Sequence, residues 1–581
     1  MATRSANGIA SLERYVPRIA TDWDVDAPGK LFQELDASLC FVDISGFTNL
    51  SEKLSRRGRI GAEELTAVLN YVFGKMLELA YAQGGSLLKF GGDALLLLYT
   101  GDGHAERAAS AAVEMRAALR TAEDYKTSVG KLKLKMSVGI HSGLIHLFRA
   151  GESHNELVIA GEGGTTLTVM EKTADPGEIV VSGGTKDRLP ATAVGAAKGP
   201  GWLLRWRKAH CIAPGPVMRD DRDTELLESW MPVALRDHLR AGRAEAEHRI
   251  ATVGFVRFCG VDAAIGFRGP EWVAEAISST MATIQEAANE EGITFLGTDI
   301  NEDGAKAILV AGAPSALEED EARMLRAARR ITDAPTPLDT HVGVNRGHVF
   351  SGEVGTQFRA TYTVMGDTVN LAARLMAAAH AGTVYSTPVV LDQSGTLFAT
   401  EALPPFHVKG KDEPVHAYSV GDEIGQREVD ERDALPFSGR EAEIDVIRGL
   451  LSGAEEGSGA VLVVVGEAGM GKSRVVREAV DRASDMDAIW IRSEPYGAAT
   501  PYRPLRDRVR EMLGVERAPN EDMAEALQTR LTEVAPDLVP MAPLIATVAH
   551  IDMEDTPEVA AIEPRFRQER LNAVLVDLIV D

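Results

Sequence analysis

The chain has 581 residues, 45% of them hydrophobic and 25% charged, and carries a net charge of −25. That length predicts about three or four domains with cores of their own, and that balance excludes wholesale disorder. The acidity excludes nucleic acid as the main partner, because neutralising a phosphate backbone needs a basic face. Cys40, Cys211 and Cys259 lack metal-ligand spacing and fit buried apolar roles in a reducing compartment. The N-terminus lacks the apolar core of a signal peptide, and no run approaches the ~20 apolar residues that span a bilayer. The expectation is a cytoplasmic protein with no membrane span.

In chain order, residues 1–29 read as an N-terminal helical segment. Within 30–213, the stretches Leu39 to Val42, Ser86 to Phe90, Ala94 to Tyr99 and Leu132 to Ile140 read as strands. Ala62 to Ala82 and His104 to Arg120 carry apolar residues at helical spacing, so this is an α+β domain. Residues 214–247 are charged with helical spacing and read as a linker helix. An internal repeat follows in 248–420. Val138-Gly139-Ile140-His141-Ser142-Gly143 recurs as Val342-Gly343-Val344-Asn345-Arg346-Gly347, and Ile179-Val180-Val181-Ser182 as Thr383-Val384-Tyr385-Ser386. A steady spacing of roughly 200 residues means two copies of one domain rather than a short-period solenoid. An acidic linker, 421–435, leads to a last region, 436–581, that opens on the apolar strand Val461 to Val465.

Two segments far apart carry complementary chemistry. In the first copy, Asp43 ends an apolar strand in Cys40-Phe41-Val42-Asp43-Ile44-Ser45-Gly46-Phe47-Thr48, and Asp93 sits in the turn of Lys89-Phe90-Gly91-Gly92-Asp93. Neighbouring strands would bring both carboxylates to one pocket, as hard cations require, and the glycines let backbone approach a phosphate. Taken singly, either aspartate only shapes a turn at a strand end. In the second copy, Tyr362-Thr363-Val364-Met365-Gly366-Asp367-Thr368-Val369-Asn370-Leu371-Ala372-Ala373-Arg374 offers an amide and a guanidinium one helical turn apart.

These segments resemble the metal-binding strands and the partner-half motif of the class III nucleotide cyclases. The resemblance covers roughly residues 30 to 420 and is nearest to the soluble, tandem-domain type and its bacterial relatives. It implies two ferredoxin-like domains paired within the chain as a pseudo-heterodimer. It implies a reaction that converts ATP to 3′,5′-cyclic AMP and pyrophosphate at a single site. Asp43, Asp93 and the carbonyl of Ile44 would hold two Mg²⁺ or Mn²⁺ ions. Phe47 and Thr48 would border the nucleotide, Asn370 would orient the ribose, and Arg374 would neutralise charge at the α-phosphate. Thr363 takes one purine-reading position. The family's purine-selecting Lys falls at Gly297, and the residues leave open whether Asp299 or Thr298 substitutes. Lys409 or its neighbour Lys411 faces the terminal phosphate, or merely solvent at a strand end. Two alternatives stay open: a guanylate cyclase, and a feebly catalytic nucleotide-binding signalling module.

The copies differ in a complementary way. Phe255-Val256-Arg257-Phe258-Cys259-Gly260 matches the Asp43 strand with Arg257 in the carboxylate's place, so no second metal site forms there. Gly161 to Met170 matches the Asn/Arg helix but offers Thr165 and Thr168. Ser137 stands where a basic phosphate contact is usual. Lys89 has the position of a bicarbonate ligand of the soluble enzymes, but the partner Arg falls at Thr168, and without that guanidinium fork no bicarbonate stimulation is expected.

Gly466-Glu467-Ala468-Gly469-Met470-Gly471-Lys472-Ser473 fits the phosphate loop G-x-x-x-x-G-K-[ST] after an apolar run. Gly466, Gly471, Lys472 and Ser473 are expected to hold Mg-ATP, with Lys472 on the β/γ-phosphates and Ser473 on the metal. With the preceding Phe-Ser-Gly-Arg-Glu this resembles the start of an AAA-type α/β P-loop ATPase. No strand ending in paired acids follows, and Leu571 to Asp581 reads as an amphipathic helix. The expectation is therefore a truncated domain that binds nucleotide, with a missing C-terminal regulatory region.

Overall fold

The computed structural model describes residues 12–47, 50, 53–54, 58–121, 126–131, 134–205, 224–240, 246–317, 319–407, 414–426, 437, 439–466, 471–483, 488–491, 503–514, 523–549, 551, 553–562 and 564–580. The chain divides into two compact units, Met1–Arg427 and Glu428–Asp581. No helix among the described residues is long and apolar enough to cross a membrane.

The first unit holds two eight-stranded sheets with the same strand order, beside a small two-stranded ribbon at residues 126–131. The first contains β1 (Phe32–Ser45), β2 (Gly85–Gly91), β3 (Ala94–Thr100), β4 (Lys135–Ala150), β5 (Glu156–Ala160), β6 (Ile179–Val181), β7 (Val194–Lys198) and β8 (Gly201–Leu204), ordered β2-β3-β1-β4-β6-β8-β7 with β5 on β4. The second contains β9 (Glu247–Cys259), β10 (Thr294–Asn301), β11 (Gly304–Ala311), β12 (Asp339–Gly355), β13 (Ala360–Met365), β14 (Thr383–Ser386), β15 (Thr396–Ala402) and β16 (Tyr418–Gln426). Its order is β10-β11-β9-β12-β14-β16-β15 with β13 on β12. The repeat read from the sequence is thus a repeat of topology. Three of the predicted strands of the first copy lie within β1, β2 and β3, each longer than its apolar run because neighbours supply ladder partners; the fourth, Leu132 to Ile140, overlaps β4 only from Lys135, and residues 132–133 lie outside the described residues.

Alternation along the central strands assigns their faces. Cys40, Val42 and Ile44 of β1 point into a core under helices α3 (Gly58–Ala82) and α4 (His104–Thr121). Leu39 and Phe41 belong to a separate cluster that includes Ile300 of the other copy. In the second copy Val256 and Phe258 of β9 enter the core under α8 (Pro270–Glu290) and α9 (Asp320–Asp333), while Phe255 joins a cluster with Leu296, Ile308 and Val364. Between the copies, the expected linker helix is two short ones, α6 (Thr224–Ser229) and α7 (Val233–Arg240). Pro232 interrupts them, since a proline donates no helical N–H. Trp230 at the break tilts against Trp23, with ring centroids 6.3 Å apart, after the short N-terminal helices α1 (Arg18–Thr21) and α2 (Trp23–Asp26).

The copies exchange arms. Phe350, Val354 and Met365 from the β12–β13 hairpin lie in the first copy's core, and Phe148, Ala150, Val158 and Ala160 from β4–β5 lie in the second's. Each arm is pinned at its tip. The Gly355 N–H donates to Asn70 Oδ1 at 2.8 Å, and the Glu152 and Ser153 N–H groups donate to Gln285 Oε1 at 2.9 and 3.1 Å. Pairing of the two halves is therefore an intramolecular burial of apolar surface.

In the second unit the described elements are helical, including α11 (Glu441–Glu455), α12 (Lys472–Asp481), α13 (Arg503–Met512), α14 (Met523–Val534), α15 (Ala542–Ala549) and α16 (Pro564–Val580). Val461 to Val465, expected as a strand, runs without a ladder partner, and Val461 and Val465 are 94% and 87% exposed. A strand exists only by pairing, and among the described residues none offers an edge to it.

The repeated glycines Gly139 and Gly343 explain why each sheet carries a helix so close. A Cβ on Gly139 would lie 2.4 Å from the Glu171 nitrogen, and one on Gly343 2.1 Å from the Met376 nitrogen. Gly139→Ala or Gly343→Ala is expected to destabilise the first unit by about 1–3 kcal/mol through overpacking against backbone. Gly266→Ala, where a Cβ meets open space in a helix, should be neutral or slightly stabilising. Urea unfolding midpoints of the three variants check this.

Candidate active site between the two halves

The two acidic segments meet because β1 and β3 are neighbours. Asp43 pairs in register with Ala94, and the Ile44 N–H donates to the Asp93 carbonyl at 3.2 Å. Gly92 turns the hairpin at φ +70, a conformation that favours glycine. Burial and the neighbouring Asp43 carboxylate push Asp93 up to about 7. A carboxylate raised by a second carboxylate beside it suits a divalent cation, which reverses the shift, so Asp43 and Asp93, with the Ile44 carbonyl next to them, fit the expected metals.

Above them lies a cleft enclosing about 1000 Å³, part of it open to solvent. Its walls come from both copies: Phe47, Gly91 and Asp93 from the first, and Gly297, Thr363 and Asn370 from the second. Asn370 and Arg374 sit one turn apart on α10 (Asp367–Ala378), which opens after Gly366 at φ +134. Arg374 is half-buried outside the cleft's wall, and its Nη1 is buried with no hydrogen-bond partner. A buried guanidinium nitrogen without an acceptor fits an anionic ligand better than a solvated helix face. Asp43 and Ile44 lie behind the wall rather than on it, while Thr48, Lys409 and Lys411 fall outside the described residues.

Register confirms which positions correspond. Asp43 pairs with Ser137 on β4, and Arg257 with His341 on β12, at the repeat's spacing. Lys89 pairs with Leu96 just after a bulge in β2, and Gly297 with Ile308 just after the equivalent bulge in β10. The lysine absent at Gly297 is thus present at its mirror position.

There Lys89 is engaged. It lies 3.3 Å from Glu156 and bonds Thr298 of the other copy, whose hydroxyl also donates to Glu156 at 3.0 Å. Burial opposes the charge on Glu156, yet Lys89 and His154 together hold it down at about 2. The first copy's threonines are also occupied. Thr165 accepts from the Asp303 N–H at 2.7 Å, and Thr168 donates to the Gly164 carbonyl of its own helix at 3.0 Å. Glu156 was missed in the sequence because it opens an apolar strand, where a carboxylate reads as a solvated end. Lys306 was missed likewise: it lines the cleft as a lone charge within the apolar run of β11, and its Nζ lies 2.9 Å from Asp299. That single polar residue at an inward position was the available signal.

In the second unit Lys472 opens α12, Gly471 precedes it at φ +82, and Lys472 Nζ donates to the Gly466 carbonyl at 2.9 Å. Gly466 and Lys472 border a hollow of about 880 Å³ shared with Arg440 and Glu443, while Ser473 is exposed beside it.

Breaking the buried Lys89–Glu156 pair from one side should cost about 3–5 kcal/mol. Lys89→Met is expected to lower the urea midpoint by that equivalent, and Lys89→Met/Glu156→Leu to recover most of it. Because Glu156 is held at about 2 against an ordinary 4.5, its stabilisation is complete above that ordinary value and is lost as pH falls toward 2. Glu156→Gln should flatten the acid limb of the stability profile there.

Residues 33–198 and 311–421 match the family described as the adenylate and guanylate cyclase catalytic domain, and 436–581 match the AAA ATPase domain. The chain is 23% identical to adenylate cyclase type 10 of Rattus norvegicus over 98% of this chain and 38% of that protein. It is 24% identical to the Homo sapiens protein of the same name over 60% of this chain and 24% of that one. It therefore spans well under half the length of these relatives. A class III adenylyl cyclase-like ATP-binding protein from Pseudomonas aeruginosa is similar with a TM-score of 0.46 at 10% identity, over 62% of this chain and 85% of that one. By the two family matches, the chain carries adenylate and guanylate cyclase catalytic-domain regions, which fall on the two sheets of repeated topology, ahead of an AAA ATPase domain.

Proposed function

We propose that the chain is a nucleotide cyclase that converts ATP to 3′,5′-cyclic AMP and pyrophosphate at one site between its two halves. The observation that carries this reading is the convergence on one cleft of Asp93, with Asp43 beside it, from the first copy and Asn370, one turn from Arg374, from the second. In the reaction the ribose 3′-oxygen bonds to the α-phosphorus, the bond from that phosphorus to the bridging oxygen breaks, and pyrophosphate leaves with the electron pair. Two divalent ions, Mg²⁺ or Mn²⁺, would supply positive charge that favours the 3′-alkoxide and screens the triphosphate.

The chain's own residues supply position and charge. Asp43, Asp93 and the Ile44 carbonyl would hold the ions. Phe47 and Thr48 would flank the nucleotide, Thr363 would contact the base, and Asn370 would orient the ribose. Arg374 would meet the charge that grows at the α-phosphate, where a pre-aimed donor acts most strongly. Lys409 would take the terminal phosphate. At the phosphate loop, Gly466, Gly471, Lys472 and Ser473 would hold a separate Mg-ATP. The missing lysine at Gly297 favours a second reading in which GTP is the substrate.

Purified protein with Mn²⁺ should form cyclic AMP from ATP, and faster than it forms cyclic GMP from GTP. Asp43→Ala and Arg374→Ala are each expected to reduce turnover by about 10²–10³-fold, whereas Arg257→Ala should leave it within a few-fold. Full activity in either of the first two variants, or no cyclic product from either nucleotide, would overturn the proposal. With Lys89 already neutralised by Glu156, bicarbonate titrated into the same assay should produce no dose response.

A further inference from the structure

Among the described residues lining the cleft, the charged side chains are Asp93, Asp299 and Lys306. The first belongs to the carboxylate pair, the second is one of the two residues left open as a substitute for the missing lysine, and Lys306 has no role in the reaction as proposed. We propose that Lys306 and Asp299 read the edge of the base: Lys306 donates to N1 of adenine and Asp299 accepts from its 6-amino group. The assignment rests on the cyclase reading above and names the specificity-determining residues of that site.

The sheet brings the pair together. Asp299 on β10 and Lys306 on β11 are directly opposed in register, so both side chains leave the same face, toward the cleft. They are 7% and 22% exposed, and their neighbours on that wall, Phe255, Leu296 and Ile308, are apolar. An ion pair on an apolar wall costs desolvation that exposed pairs avoid, and a ligand that completes its hydrogen bonds offsets that cost. Beside it, a Cβ on Gly297 would meet nothing within 4 Å. The position that lacks the expected lysine is thus an empty notch, and the cation lining the same cleft, Lys306, comes from the adjacent strand and rests on Asp299.

The donor pattern selects the base. Asp299 Oδ1 already accepts from the Ile300 N–H at 2.8 Å. Its Oδ2 is the oxygen that meets Lys306, and it faces Gly91 of the first copy. The pair therefore presents one acceptor oxygen next to ammonium N–H donors. Adenine offers one acceptor and one amino donor side by side. Guanine also sets an acceptor, O6, beside a donor, N1–H, but adds the 2-amino group as a second adjacent donor, which a single open carboxylate oxygen leaves unpaired. A triphosphate is a poor alternative ligand, because Asp299 offsets most of the charge on Lys306.

The test uses the full chain with Mn²⁺ and three substrates: ATP, 1-deaza-ATP, which lacks the N1 acceptor, and purine riboside triphosphate, which lacks the amino donor. Lys306→Met should raise KM for ATP by about ten- to a hundredfold, the worth of a charged hydrogen bond, with kcat little changed and 1-deaza-ATP unaffected. Asp299→Ala should do the same for ATP and spare purine riboside triphosphate. Lys306→Arg, which keeps a donor, should retain part of the discrimination even if the methionine variant folds poorly. Equal losses on ATP and 1-deaza-ATP, or a parallel weakening of pyrophosphate inhibition, would mean a structural or phosphate role and overturn the assignment. So would a wild-type preference for GTP. Should no nucleotide cyclise, the cyclase reading fails separately. Affinity for 3′-deoxy-ATP and its deaza analogue, measured by calorimetry in a Lys472→Ala background that silences the phosphate loop, then gives the same comparison without turnover.

Discussion

Everything at the interface depends on the reciprocal burial of two hairpin arms. Phe350, Val354 and Met365 complete the first copy's core, while Phe148, Ala150, Val158 and Ala160 complete the second's. Neither sheet could bury its inner apolar face alone, so each half lends the other part of its core, and the arms set the distance between the strands that line the cleft. The pins at Asn70 and Gln285 satisfy backbone N–H groups at the arm tips, and the two sheets share one strand order, so the frame is repeated on both sides.

On that repeated frame the charges are distributed without symmetry. Asp43 and Asp93 occupy one side, and Arg257 stands at the counterpart of Asp43. Asn370 and Arg374 project from one helix, and the matching helix carries threonines whose hydroxyls are spent on Asp303 and Gly164. Lys89 is locked to Glu156 at one mirror position, and Gly297 is bare at the other. The arrangement leaves a cleft on one side and ties the side chains on the other into buried hydrogen bonds. A buried ion pair of this kind adds little stability over an apolar one but penalises any other register of the two halves.

Much of this was legible before any coordinates. The strands around Asp43 and Asp93 announce themselves because both their faces are apolar for several residues, and α3 and α4 because their apolar positions recur at helical spacing. The duplication was legible because the glycines that admit a helix against each sheet, Gly139 and Gly343, are irreplaceable at contacts of 2.4 and 2.1 Å. Less legible were elements whose state depends on distant partners. The linker divides at Pro232 around a tryptophan contact, and Val461 to Val465 has strand composition but no paired neighbour.

By itself, then, the sequence determined the repeat, the α+β class and the presence of two carboxylates in one half and an amide with a guanidinium in the other. These are properties of local pattern, carried by residue type and spacing. Only the tertiary structure decided that Lys306 comes to rest against Asp299 beside the notch at Gly297, and that Glu156 neutralises Lys89. The first pair depends on the register of the β10–β11 hairpin, and the second joins strands from separate hairpins of one copy, so both partners are chosen by register and by the low dielectric of a shared interior. Neither is set by residue type and spacing alone.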